Sequence, residues 1–246
     1  MLPPRSVLIT GAGRGLGLEF IKQFLQVPTP PEFLFATCRN PDNAQELKEV
    51  AKSNPSLTII KLDVNEPNTL DEARKIVESK LGDKGLNLLL NNAGINHKAS
   101  LDAVTPALMM DTFNTNVNGP LFTTKAFLPL LLRAAQSSTP TQPTSAVVNM
   151  STIMSSITLT ESSDSVDYRV SKTALNMLSK LLHNELKEKG IHVGCIHPGW
   201  VQTDMGTSMA PVTPSQSVKG CLEVISKMEA DNACLLIDYT GKRLPW

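Results

Sequence analysis

Thr10-Gly11-Ala12-Gly13-Arg14-Gly15-Leu16-Gly17 is the stretch on which the fold of this chain turns. A short apolar run, residues 6–10, leads into it, and a helix-patterned stretch, residues 16–26, follows at once. The spacing is T-G-x-x-x-G-x-G. It departs from the G-x-G-x-x-G dinucleotide fingerprint, because the residue three after Gly13 is Leu16. The physics is shared. Glycines let the backbone turn tightly and approach a pyrophosphate, and the helix N-terminus offers free N–H groups and a positive dipole end. Alone, such a turn merely joins a strand to a helix. Between the first strand and first helix of an alternating chain, it points to a bound nucleotide.

The alternation continues. Strand-like runs fall at 33–37, 57–62, 86–90, 146–150, 191–196 and 234–237. The run at 86–90 is nearly all apolar, as a strand buried on both faces requires. Helical patterns occupy 43–53, 69–81, a long region at 106–135, then 166–189 and 215–228. Strand and helix in strict turn predict an α/β fold: one doubly wound, Rossmann-like parallel sheet with helices on both faces. No composition break marks a second domain, so residues 1–246 are expected to form a single one. The Ser-, Thr- and Pro-rich segment 136–144 reads as a surface loop after a helix.

Composition narrows the function class. The 246 residues are 41% apolar and 19% charged, and 23 basic residues balance 23 acidic ones. Without a basic excess, neither nucleic acid nor an anionic membrane is an expected partner. No apolar run is long enough to span a bilayer, and the first residues show no charged-then-apolar leader, so a cytoplasmic protein is expected. Cys38, Cys195, Cys221 and Cys234 form no CxxC pair and have no histidine at metal-ligand spacing. They read as buried packing thiols, and no metal site is expected.

The second strand indicates which dinucleotide to expect. An NAD site usually places a carboxylate at its end to hold the ribose 2′-OH. Here that strand ends Ala36-Thr37-Cys38-Arg39, and Arg14 adds a second guanidinium from the glycine turn. Two such cations suit a 2′-phosphate, which favours NADP(H). The alternative is that Arg39 only solvates a loop.

Tyr168 and Lys172 lie four apart on an expected helix and so share a face. A nearby ammonium and an oxidised nicotinamide both favour phenolate and bring the phenol toward the working range. By itself the spacing is also that of an ordinary surface pair. Upstream, the run at 146–150 ends in Ser151-Thr152, with Ser155 and Ser156 close behind. A hydroxyl leaving the C-terminal edge of a parallel strand faces the ligand cleft; most of these four must be turn or cap groups.

The ordered set Thr10 to Gly17, Asn91-Asn92-Ala93-Gly94, Asn116, the hydroxyls after Asn149, Tyr168-Arg169-Val170-Ser171-Lys172 and Pro198-Gly199 resembles the short-chain dehydrogenase/reductase family over almost the whole chain. Within it, the Tyr–Lys segment, Pro198 to Thr203 and Leu244-Pro245-Trp246 are similar to sniffer-type carbonyl reductases and C-factor-like proteins. The resemblance implies a hydride transfer to or from a small-molecule carbonyl, with Tyr168 as general acid in reduction. It implies that Lys172 holds the nicotinamide ribose and lowers the pKa of Tyr168, and that Asn116 positions a relay water. Gly11, Arg14, Gly15, Leu16 and Gly17 would line the phosphates, with Arg39 at the 2′-phosphate. Asp63 and Val64 would meet the adenine. Asn91, Ala93 and Gly94 would pack on the adenosine side, though that turn also has a sheet-bracing reading. Pro198, Gly199, Val201 and Thr203 would face the nicotinamide. One departure stands out: the family usually has serine where Thr152 stands, and the spacing from there to Tyr168 is longer than the commonest one. Thr152 is expected to serve, with Ser151 as the fallback.

His97 falls where it would face the pocket mouth, and His183, His192 and His197 read as packing or surface positions. Met205 and Met209 fall where a substrate lid would sit. The resemblance also implies a homodimer or homotetramer, through the helices that precede and carry the Tyr–Lys pair. Leu178, Leu181 and Leu182 suit either that interface or the core. Two rival functions fit the same residues: an NAD-dependent alcohol dehydrogenase, and a nucleotide-binding signalling protein with incidental turnover.

Overall fold

A computed structural model describes residues 4–136, 145–228 and 235–246. Eight strands form one sheet: β1 (Ser6–Ile9), β2 (Phe33–Cys38), β3 (Leu57–Lys61), β4 (Leu88–Asn91), β5 (Ser145–Met150), β6 (Ile191–His197), β7 (Leu236–Asp238) and β8 (Arg243–Leu244). Their order is β3-β2-β1-β4-β5-β6-β7-β8. Every pairing is parallel except β7 with β8. The helices are α1 (Gly15–Gln26), α2 (Gln45–Lys52), α3 (Pro67–Leu81), α4 (Pro106–Phe113), α5 (Gly119–Ala135), α6 (Val166–Leu186) and α7 (Pro214–Ser226).

Strand side chains alternate between two cores, which is why both faces carry helices. Val7, Ile9, Leu88, Leu90, Ala146 and Val148 join one cluster with Phe20, Ile21 and Phe24 of α1 and Val218 and Ile225 of α7. Leu8, Leu89 and Val147 join the other, with Val77 of α3, Phe127 and Leu131 of α5, and Leu186 of α6. Local chemistry sets the helix ends. Proline opens α3, α4 and α7 at the first helical position. Thr105 caps α4, Thr213 forms a capping box with Gln216, and Gly82 ends α3 at φ 57°.

Two expectations needed correction in detail. The long helical region at 106–135 is interrupted by a π-helical turn, Asn114–Asn118, whose wider ring takes in an extra residue. The sheet also ends in a two-residue antiparallel strand, β8, too short to show a period in sequence. Residues 137–144 of the expected surface loop, and Cys234, lie outside the described residues. Cys38, Cys195 and Cys221 are buried, and Cys38 and Cys221 are free thiols.

The strand order reverses between β1 and β4, the crevice where open α/β sheets bind ligands. Thr10 to Gly17, Asn91 to Gly94, Ser151-Thr152 and Pro198-Gly199 all leave strands at that edge.

Candidate active site

The glycine turn is built for a close approach. Gly11 has φ +66°, and a Cβ there would stand 2.9 Å from Ala93 Cα. A Cβ on Gly17 would fall 2.3 Å from the Gly11 carbonyl oxygen, so only glycine fits. Arg14, at the N-cap of α1, makes no side-chain cap, and the first turn holds no acidic residue. The leading amides of α1 therefore present donors and a positive dipole end toward the cleft. Gly15, at φ +55°, faces Thr203, whose Cγ2 would lie 3.7 Å from a Cβ there. Close backbone approach at the turn and the free leading amides of α1 together suit an anion such as a pyrophosphate.

Thr10 and Asn92 hold this turn against the end of β4. Thr10 Oγ1 accepts the N–H groups of Asn92 and Ala93, each at 3.0 Å, and Asn92 Nδ2 donates to the carbonyls of Thr10 and Gly11. Neither residue stood out as a site group in sequence, although both belong to the quoted motifs. Asn91 turns into the sheet: its Nδ2 donates to Asn149 Oδ1 at 2.8 Å, and Asn149 Nδ2 donates to Ser179 of α6. Asp63 accepts Asn65 N–H in the loop after β3, next to Val64.

The two arginines differ. Arg39 is exposed and forms no ion pair among the described residues. Arg14 Nη1 pairs with Asp204 Oδ2 at 2.8 Å, with both side chains mostly in solvent. That bridge links the glycine turn to the segment after Thr203. It is worth a fraction of a kcal/mol at most by the usual measure of exposed pairs, about 0–1 kcal/mol. Met205 and Met209 are exposed on the same segment, and Val201 bridges Val212 across it.

Tyr168 and Lys172 lie one turn apart on α6, with the Lys172 ammonium 5.8 Å from the Tyr168 ring centre. Lys172 is buried, and its Nζ donates to the Met150 carbonyl at the end of β5, at 2.7 Å. Burial lowers its pKa from 10.5 to about 8, against a small opposing influence from Cys195. Burial of the phenol raises Tyr168 to about 12, opposite in direction to the lowering by Lys172 that the resemblance implied. Gly94 sits beside both Lys172 and Asn116: a Cβ there would be 3.2 Å from Asn116 Oδ1 and 3.5 Å from Lys172 Nζ. Asn116, in the π turn, clamps the Ile95 peptide reciprocally, accepting its N–H and donating to its carbonyl, both at 2.9 Å. Asn116 Nδ2 also donates to Ser171 Oγ at 3.0 Å.

The two adjacent hydroxyls after β5 have different fates. Ser151 Oγ donates to Asn176 Oδ1 at 2.7 Å, and Asn176 Nδ2 donates to Ser155 Oγ, also at 2.7 Å. This buried network leaves Ser151 committed. Thr152 caps a 3₁₀ turn, Ile153–Ser155, by accepting the Met154 N–H at 3.2 Å. Its own hydroxyl proton has no acceptor among the described residues. The extra length before Tyr168 runs through 156–165, where Thr158 donates to the Trp246 carbonyl from both its N–H and its hydroxyl.

His97 Nε2 lies 2.8 Å from Asp111 Oδ2 on the rim. His183 and His192 are buried, with Nδ1 unpaired among the described residues, and His197 ends β6 with its pKa pushed down to about 4, mainly by burial. Among the described residues no cluster of three or more potential ligands forms a metal site, and no helix is long and apolar enough to cross a membrane.

Comparison with known proteins agrees with this architecture. Residues 5–212 match the family model for short chain dehydrogenase. A crystal structure of NADPH-bound carbonyl reductase from chicken fatty liver superposes with a TM-score of 0.94 at 39% identity, over 99% of each chain. Carbonyl reductase Sniffer of Drosophila melanogaster gives a TM-score of 0.96 at 38% identity, over 99% of this chain and 100% of that one. The C-signal protein of Myxococcus xanthus is 35% identical over 162 residues, 65% of this chain and 93% of its own.

Proposed function

The chain belongs to the short-chain dehydrogenase family, and on that footing we propose that it is an NADPH-dependent carbonyl reductase acting on an aldehyde, ketone or quinone. One observation carries this reading. Around the Lys172 ammonium meet the strand end that leads to Thr152, the ring of Tyr168, and Gly94 beside Asn116. NADPH, when bound, supplies the hydride to the carbonyl carbon.

The chain's own residues do the rest. Thr152 offers a hydrogen bond from its uncommitted hydroxyl to the substrate carbonyl oxygen and fixes its place, keeping its proton. Tyr168, with a pKa raised to about 12, is protonated throughout the neutral range and gives its phenolic proton to that oxygen. Lys172, still cationic below about pH 8, stabilises the phenolate that remains and holds the ribose hydroxyls. The side chain of Asn116 spends its hydrogen bonds on Ile95 and Ser171. A relay water would therefore rest on the main-chain carbonyl of its widened turn.

Arg39, exposed at the end of β2, and Arg14, released from Asp204, take the 2′-phosphate. The resemblance of the chain to an NADPH-bound carbonyl reductase supports this choice. The same proposal includes a homodimer or homotetramer joined through the outer face of α6, where Val170, Met177 and Leu181 are exposed.

The test is NADPH and NADH oxidation against a panel of aldehydes, ketones and quinones, for the wild type and Arg39→Asp. Turnover with NADPH, and a preference that moves toward NADH in the variant, is expected. No turnover with any substrate, or an unmoved preference, contradicts the reading.

A further inference from the structure

Asp167 stands immediately before Tyr168, in the first turn of α6, and is 1% exposed. Its carboxylate meets no cation among the described residues. It accepts Thr112 Oγ1 of α4 at 2.8 Å, His97 N–H at 3.2 Å and Ala99 N–H at 3.4 Å. The last two donors flank Lys98, which is left-handed at φ 55°. A left-handed lysine is disfavoured by roughly 1–2 kcal/mol. Two amides flanking such a residue make a small anion-binding concavity, and here an internal carboxylate fills it.

The traffic runs both ways. Ser165, the N-cap of α6, is itself left-handed and gives no side-chain cap. The Val166 N–H instead donates to the Ala99 carbonyl at 3.0 Å. The start of the helix that carries Tyr168 and Lys172 is thus capped by the 95–99 loop, and the loop is held by that helix. The loop begins at Gly94, beside Asn116 and Lys172, and its first peptide, at Ile95, is already clamped by Asn116.

We propose that Asp167 is a positioning residue: it locks the 95–99 loop onto the first turn of α6 and so sets the distance between that wall of the site and Tyr168. The proposal rests on the reductase reading for its kinetic consequence, but the clamp itself is independent of it. Asp167 acts through backbone amides and Thr112, without touching the reacting atoms.

Three variants of the full chain test it: Asp167→Ala, Asp167→Asn, which keeps the shape and one acceptor oxygen, and Thr112→Val, which removes only the third bond. Each is measured for NADPH dissociation, kcat and KM with a carbonyl substrate, melting temperature, and amide exchange by NMR. For Asp167→Ala, amides of His97 and Ala99 should exchange at least 10-fold faster while those of Leu89 and Val147 hold. KM should rise and kcat fall, giving a 10-fold or greater loss in kcat/KM, with NADPH affinity kept within twofold. Asp167→Asn should recover most of that loss, and Thr112→Val should show a smaller version of it. Unchanged exchange at 97 and 99, or unchanged kcat/KM in a folded Asp167→Ala, overturns the proposal. So does a kinetic loss matched by an equal loss of NADPH affinity, which marks general destabilisation. If the wild type reduces no carbonyl, the reductase reading falls, and the exchange data alone judge the clamp.

Discussion

Replacing Lys172 with methionine should make the cofactor-free protein more stable while destroying its chemistry. Lys172 is 4% exposed and has one hydrogen bond among the described residues, to the Met150 carbonyl. Desolvation lowers its pKa from 10.5 to about 8. At about 1.36 kcal/mol per pKa unit, this charge costs the fold roughly 3 kcal/mol at pH 7. Methionine fills the same volume with no charge, but leaves the Met150 carbonyl without that donor, a loss of about 1 kcal/mol. The net gain is about 2 kcal/mol, or a melting temperature higher by about 4–8 °C for a chain of this length.

The pH dependence makes the argument sharp. In the unfolded chain Lys172 stays protonated up to 10.5, whereas in the fold it loses its proton near 8. Between those values the unfolded state binds more protons, so wild-type stability gains with rising pH from this group. The advantage of Lys172→Met should therefore hold up to about pH 8, shrink above it, and be gone by pH 10.5. Titrating groups that do not interact with Lys172 are common to both proteins and cancel in the difference, leaving Lys172 and its weaker coupling to Cys195. Denaturant titrations of both, without cofactor, across that range provide the measurement. An advantage that stays constant with pH, or no advantage at pH 7, would refute the reasoning.

Thr152→Val should reduce carbonyl turnover by about 10²-fold, the usual loss for one donor to a developing oxyanion. Ser151→Ala should leave turnover within a few-fold yet lower stability by about 1–3 kcal/mol, because it strips a donor from buried Asn176; reversed effects would make Ser151 the working hydroxyl. The rate of reduction should be flat through neutrality and fall above about pH 8, where the Lys172 ammonium is lost, while Tyr168 near 12 stays protonated. A profile that instead rises above pH 8 would assign the limiting group wrongly.

Much of this was legible in the sequence because it is local and periodic. Apolar runs of alternating partners became strands shared by two cores, and the glycine turn marked the switch point. What escaped was set by distant pairing or by very short elements. The choice between Ser151 and Thr152 depends on Asn176, which the fold brings beneath one of two neighbouring hydroxyls. The tie between Arg14 and Asp204 joins residues 190 apart in the chain. Asp167 carries no signal in the sequence beyond its acidic type, and only the path of the 95–99 loop makes it a clamp. The π turn at Asn116 left no mark in a pattern that reads as continuous helix.

The central claim is that Tyr168 delivers the proton in a site organised by Lys172. Tyr168→Phe tests it most directly, with NADPH affinity and carbonyl-dependent NADPH oxidation measured on the same preparation. Affinity should hold within about threefold while turnover falls by about 10²–10⁴-fold, the range expected for loss of a general acid. Turnover kept within tenfold of the wild type, with NADPH bound, would contradict the account.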